Sequence, residues 1–213
     1  MSKVMKKILI VDDHEVVRDG VKRVFDKQPG TTFGDASTIQ ETLRLVREQD
    51  WDVVVLDISL GDRSGLEIMR ELKQIRPGLP VLVLSMHSEE EFVRRALKAG
   101  ASGYVTKDSP RAELVKAVSK VMSGGRYLSA TFAEKLIFDF AIGSSRPPHE
   151  GLSNREFEVF RLIASGKTVG EIASILSLSD STISTYRARI MEKMGMKTSA
   201  ELTHYAIHNK LVS

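Results

Sequence analysis

The chain has 213 residues, room for two ordinary domains, and its 42% hydrophobic content is enough for packed cores. It has no cysteine, which excludes disulfides and thiolate metal sites and points to a reducing compartment. The net charge of +3 is too small to establish a nucleic-acid partner, and no apolar run approaches the roughly 18 residues of a membrane span. The N-terminus reads "MSKVMKK", then "ILIV", with no secretory pattern, so a cytoplasmic protein with no membrane partner is expected.

In chain order, apolar β-rich runs at 8–11 (ILIV), 53–56 (VVVL), 81–84 (VLVL) and 103–105 (GYV) predict strands, with a poorer one at 31–36. Helical spacing fills the intervals: Val16, Val17, Val21, Val24 and Phe25; Ile39, Leu43 and Val46; Leu66, Ile68, Met69 and Leu72; Phe92, Val93, Ala96 and Leu97; Leu114, Val115, Val118 and Val121. Strands recurring roughly every 20 to 28 residues fit a doubly wound (βα)5 α/β fold with a parallel sheet covered on both faces. Thr38–Glu41 and Ser88–Glu91 have capping-box spacing, and Pro110 suits a first helical turn.

"SGGRYLS" closes the fifth unit, and a short helical pattern (Phe132, Leu136, Ile137, Phe140) runs into "GSSRPPHEG". That cluster of Gly, Ser and Pro is the best linker in the chain. The expected organisation is therefore a domain over 1–123, a linker with a short helix over 124–150, and a second domain over 151–213. The second has no strand pattern and is expected to be a small all-α domain with helices over 153–165, 168–176, 180–194 and 198–209. Capping boxes at Ser153–Glu156, Thr168–Glu171 and Thr198–Glu201 open three of them. Only "SLSD" separates the second and third, which makes them a helix-turn-helix.

The charge distribution sharpens this division. Residues 1–123 carry 20 Lys and Arg against 19 Asp and Glu, whereas 151–213 carry 8 against 6, with Arg187, Arg189 and Lys193 inside "YRARIMEK". A solvated helix face would look much the same, so the focus gains meaning only from its place on a helix-turn-helix.

The first domain carries its own chemical signal. With strand order 2-1-3-4-5, the switch-point cleft lies beyond the carboxyl ends of the first and third strands. Asp12, Asp13 and Asp57 stand just past those ends, and their mutual repulsion would raise their pKa values unless a hard divalent cation such as Mg2+ intervenes. Ser85 and Lys107, after the fourth and fifth strands, reach the same rim and suit an arriving phosphate. The set reads as a site for a phosphorylated carboxylate, with Asp57 as nucleophile and Lys107 and Ser85 on the phosphoryl oxygens. Singly, each residue has a bland alternative, a helix-capping acid or a surface lysine; their coincidence at one sheet edge favours the site.

"ILIVDDHE", "VVVLDISLGDRSG", "VLVLSMH" and "GASGYVTKD" resemble the receiver domain of two-component response regulators over roughly residues 5–123. The resemblance implies that Asp57 accepts a phosphoryl group from a sensor histidine kinase, and that Asp12, Asp13 and the backbone carbonyl of Ser59 complete the Mg2+ site. It also pairs Ser85 with Tyr104 as a switch, the hydroxyl moving toward the phosphoryl while the ring repositions; Tyr104 equally suits a half-buried strand aromatic. Haloacid-dehalogenase-type phosphatases also form an aspartyl-phosphate, but they carry a general acid two residues after the nucleophile, where this chain has Ser59. A switch rather than an enzyme is the expectation.

Residues 150–213 resemble the LuxR-type helix-turn-helix of the NarL/FixJ response-regulator family. The apolar frame carries the match: Leu152, Val159, Ile163, Ile172, Ala173, Leu176, Ile183, Ile190 and Met194, with Glu156, Gly166 and Thr182. The third helix would then enter the major groove of double-stranded DNA, presenting Ser184, Thr185, Arg187, Ala188 and Arg189, with Lys193 one turn on. Many family members have lysine at Ser184 and histidine at Tyr186, so base contacts here are expected to be sparse. Arg187, Arg189, Lys193 and Thr182, and the helix opening at Thr168, suit phosphates. Affinity resting on backbone contacts implies a homodimer on two half-sites when phosphorylated, and the family points to the last helix as the dimer surface. A regulator acting through protein contacts alone, its helical tail serving only to dimerise, is the rival reading.

Overall fold

The computed structural model describes residues 6–212 other than 27, 29, 61–62, 87–89, 131 and 134–146. The chain divides into two compact units, Met1–Asp139 and Phe140–Ser213.

In the first unit, β1 (Lys6–Val11), β2 (Thr31–Ala36), β3 (Val53–Leu56), β4 (Val81–Ser85) and β5 (Gly103–Thr106) form one sheet in the order β2-β1-β3-β4-β5. All four pairings are parallel. The helices are α1 (Glu15–Val24), α2 (Ile39–Glu48), α3 (Gly65–Ile75), α4 (Glu90–Lys98) and α5 (Arg111–Met122). The unbroken apolar runs are explained by burial on both faces, since every residue of β3 and β4 is buried. Ile8, Ile10, Val53, Val55, Leu82 and Leu84 pack with Val21 of α1, its C-cap Phe25, and Leu114, Val118 and Val121 of α5. Each such side chain contributes about 1.5–3 kcal/mol by leaving water.

Local signals shift in detail. The Thr38 side chain accepts from Glu41 N, but the Glu41 carboxylate accepts from Ser37 N, one residue before the expected partner. Pro110 is the N-cap of α5 rather than its first residue. Ser88 lies outside the described residues, as do Leu136, Ile137 and Phe140 of the linker pattern. Two features were not foreseen. A short antiparallel ribbon pairs Ser59–Leu60 with Arg63–Ser64 directly after Asp57. Beyond α5, Tyr127 bridges in parallel to Gly103 on the outer edge of β5.

The second unit opens with a 3-10 turn (Pro148–Gly151), followed by α6 (Asn154–Ala164), α7 (Val169–Leu176), α8 (Asp180–Met194) and α9 (Ser199–His208). Complete capping boxes start α6 at Ser153 and α7 at Thr168. At α9 the Thr198 side chain accepts from Glu201 N, while Glu201 accepts from Lys197 N. Phe157, Val159, Phe160, Ile172, Ile183, Ile190, Leu202 and Ala206 form the buried interior. The tight α7–α8 turn is set by Ser177, a non-glycine residue in the left-handed region at φ 54°. Among the described residues, no helix is long and apolar enough to cross a membrane.

Candidate functional site

β1 and β3 are adjacent and end level, Val11 beside Leu56, so the residues that follow them meet at one edge. The Asp57 N–H donates to Val11 O (2.8 Å), which fixes the tip of β3 against β1. Asp12 and Asp57 are both buried, at 2% and 3% exposure. Lys107, two residues from the end of the buried Tyr104–Val105 stretch, reaches back over the edge. Its Nζ lies 2.6 Å from Asp12 Oδ2 and 2.6 Å from Asp57 Oδ2, and its N–H donates to Ser85 O (2.7 Å). The remaining carboxylate oxygens take backbone donors: Ser59 N–H to Asp57 Oδ1 (3.0 Å) and His14 N–H to Asp12 Oδ1 (2.9 Å).

Burial pushes the Asp57 carboxyl up from 3.8 to about 6, with Asp12 adding repulsion, while Lys107 and the Ser59 N–H pull the other way and only partly offset it. Burial alone would lower the pKa of Lys107; the Asp57 and Asp12 charges outweigh it and hold the ammonium above its ordinary value. The pocket therefore holds more negative charge than one lysine neutralises.

Asp13 is exposed, and its Oδ1 lies 2.6 Å from His14 Nδ1. Asp12, Asp13 and His14 present ligand atoms within 4.8 Å of one another. Asp57 is tied to this trio through Asp12 and the shared Lys107. The carboxylate oxygens of Asp12, Asp13 and Asp57, with their surplus negative charge, fit a hard divalent cation, whereas the His14 ring nitrogen is not the ligand type such an ion prefers. His14 and Arg18, whose guanidinium donates to Asp12 O (2.8 Å), were missed from the sequence. For His14, adjacency in "DDH" was the available signal; Arg18 gave none, since only the helical turn of α1 brings it back.

Ser85, fully buried, pairs in register with Thr106, and Tyr104 with Val83. Alternation then puts Ser85 and Tyr104 on one face of the sheet as diagonal neighbours. The Tyr104 ring is buried and meets Phe132 edge-on, centroids 6.2 Å apart at 76°.

In the second unit, α8 buries Ile183, Ile190 and Met194 and exposes Ser184, Thr185, Arg187, Ala188 and Arg189. The Ser184 and Thr185 hydroxyls donate to the carbonyls of Asp180 and Ser181, leaving their oxygens as acceptors outward. Thr182 is half-buried, its hydroxyl 2.8 Å from that of the N-cap Ser179. Two phosphate candidates are already engaged. Lys193 Nζ lies 2.6 Å from Oε2 of the buried Glu156, and Thr168 is bonded through both N–H and hydroxyl to Glu171. The capping signal at Thr168 foretold that bond, whereas the Lys193–Glu156 pair depends on α6 and α8 packing together.

The comparisons with known proteins fall on the same two units. Residues 8–119 match the model of the response regulator receiver domain, and residues 150–206 match that of bacterial regulatory proteins of the luxR family. The chain belongs to the response regulators, with a receiver joined to a LuxR-type helix-turn-helix in the NarL/FixJ manner. Its relatives include the response regulator GacA of Pseudomonas aeruginosa, 36% identical with 98% of each chain covered. The response regulator UvrY of Escherichia coli is 32% identical over 97% of this chain and 96% of its own. Among solved structures, Salmonella typhimurium RcsB superposes with a TM-score of 0.61 at 26% identity, covering 94% of this chain and 98% of RcsB.

Proposed function

We propose that the chain is a phosphorylation-switched, DNA-binding transcriptional regulator of a two-component system, with a receiver over 1–123, a connecting segment over 124–150 and a DNA-binding domain over 151–213. The observation that carries the reading is the buried Asp57 at the tip of the central strand, sharing Lys107 with Asp12. An Asp57 oxygen attacks the phosphorus of a phosphohistidine on a sensor histidine kinase; the P–N bond breaks and the imidazole keeps the electron pair. Lys107 then has a phosphoryl oxygen as partner, and the Ser85 hydroxyl donates to another. Asp12, Asp13, Asp57 and the Ser59 carbonyl would hold Mg2+, which when bound offsets the charge on the phosphoryl oxygens. Ser59 brings no carboxyl to activate water, so the acyl phosphate persists long enough to serve as a signal.

The charge added at Asp57 draws on Ser85 and, through the shared sheet face, on Tyr104, and shifts the receiver between two states. The phosphorylated state favours a homodimer whose α8 helices enter successive major grooves. Arg187 and Arg189 contact phosphates, and Ser184, Thr185 and Ala188 meet base edges. Lys193 and Thr168 join them only by sharing their bonds with Glu156 and Glu171. RcsB of Salmonella enterica, 26% identical, has been solved on a promoter with the phosphomimetic BeF3−, which supports carrying this reading over.

The test is a gel shift of the full chain on genomic DNA fragments, with Mg2+, with and without acetyl phosphate. Phosphorylation should strengthen binding, and Asp57→Asn should abolish the response. Absence of DNA binding in both states would favour a regulator acting through protein contacts alone.

A further inference from the structure

Beyond Gly125 the chain leaves the receiver along the outer edge of β5. Tyr127 N–H donates to Ser102 O (3.0 Å) and Tyr127 O accepts from Tyr104 N–H (3.0 Å), so the segment supplies the edge strand with its missing ladder bonds. A Cβ on Gly103 would stand 2.7 Å from Tyr127 O, so glycine is what allows this approach. The Tyr127 side chain packs on the cluster that contains Val105, and burial, together with the nearby Glu113 carboxylate of α5, raises the pKa of its hydroxyl. Five residues on, Phe132 touches Tyr104, which points to the opposite face of β5 from Val105. The segment therefore grips both faces of one strand, and Ser129 O accepts from Ala133 N–H (3.0 Å) as the chain turns helical there.

This strand leads directly into Lys107, the residue after its end, three positions beyond Tyr104 and about 10 Å along an extended chain. Tyr104 has Ser85 as diagonal neighbour on one side and Phe132 on the other. In a close-packed interior, a hydroxyl that moves toward a phosphoryl vacates volume that the neighbouring ring must fill, and whatever rests on that ring must follow. We infer that Phe132 is a positioning residue that reads the Tyr104 ring and passes the state of Asp57 to the connecting segment, with Tyr127 as its fixed anchor. The relay rests on the Ser85–Tyr104 switch proposed above. It adds that the segment's own side chain is the receiving part, so the signal needs no partner molecule to leave the receiver.

The experiment uses the full chain with Mg2+, with and without acetyl phosphate, as wild type, Phe132→Ala, Phe132→Leu and Asp57→Asn. Intact mass gives the phosphorylated fraction, hydrogen exchange follows residues 125–133, and sedimentation gives the dimerisation constant. In wild type, phosphorylation should change both exchange and dimerisation. Phe132→Ala should be phosphorylated to the wild-type extent yet lose the exchange change, with the dimerisation response weakened about 2- to 10-fold, the range for an aromatic pair. Phe132→Leu keeps apolar bulk without the ring and should fall between; if thermal melting shows that the alanine variant is unfolded, the leucine variant decides. A wild-type response retained in the Phe132 variants overturns the relay while leaving the switch intact. A wild type that responds in neither readout overturns both, and Asp57→Asn fixes the level that counts as no response.

Discussion

Asp57 is held ionised against the preference of its surroundings, so removing its charge should stabilise the chain when Mg2+ is absent. At 1.36 kcal/mol per pKa unit, the rise from 3.8 to about 6 corresponds to about 3 kcal/mol of unfavourable ionisation in the folded state. Asp57→Asn keeps an oxygen for the Ser59 N–H but weakens the bond to Lys107, which reduces the expected gain to about 1–2 kcal/mol. That corresponds to about 3–6 °C in Tm for a unit of this size. The dependence on pH has a definite sign. Between pH 3.8 and about 6 the folded state binds more protons than the unfolded chain, so this group makes wild-type stability fall as pH rises through that window. The advantage of the Asn variant should therefore be full above pH 6, shrink below it, and vanish under pH 3.8. Urea and thermal denaturation with EDTA from pH 3.5 to 8 would measure it. An Asn variant no more stable than wild type at pH 7.5, or a gap independent of pH, would refute the account of Asp57 as a strained charge. Adding Mg2+ should narrow the gap, because a ligand of the folded state alone stabilises it by mass action and a neutral amide is a poorer ligand than the carboxylate.

Lys107→Met leaves Asp12 and Asp57 facing each other without a cation; stability at pH 7.5 should fall by about 3 kcal/mol or more and recover on acidification, as urea midpoints would show. Arg187→Ala and Arg189→Ala should each lower the slope of log affinity against log salt by about 0.9 in a fluorescence titration; unchanged slopes would remove these residues from the phosphate contacts. Ser177→Gly relieves a left-handed backbone at φ 54° and should raise stability by about 0.5–1 kcal/mol in thermal melts, leaving DNA affinity within about twofold of wild type.

Much of the receiver was legible in the sequence because its burial is so complete. Strands covered on both faces must be apolar at every position, so ILIV, VVVL and VLVL stand out, and their spacing forces crossovers and a parallel sheet. Topology then brings Asp12, Asp13, Asp57, Ser85 and Lys107 to one edge without knowledge of any side chain. The helix-turn-helix was legible for a different reason: capping residues act within one turn, and "SLSD" leaves no room for anything but a tight corner.

Tertiary structure decided what depends on contacts distant in sequence. Lys107 bridging Asp12 and Asp57, Arg18 turning back to the Asp12 carbonyl, and Lys193 held by Glu156 are set by how strands and helices dock, not by local pattern. Glu41 and Glu201 each reach one residue further back than their spacing implies, because backbone geometry before the cap chooses the donor. The path of Tyr127 and Phe132 along β5 left no mark in "RYLSATF" that a surface loop would lack. A single bridge and one ring contact have no periodicity, and only the folded sheet edge gives them a partner.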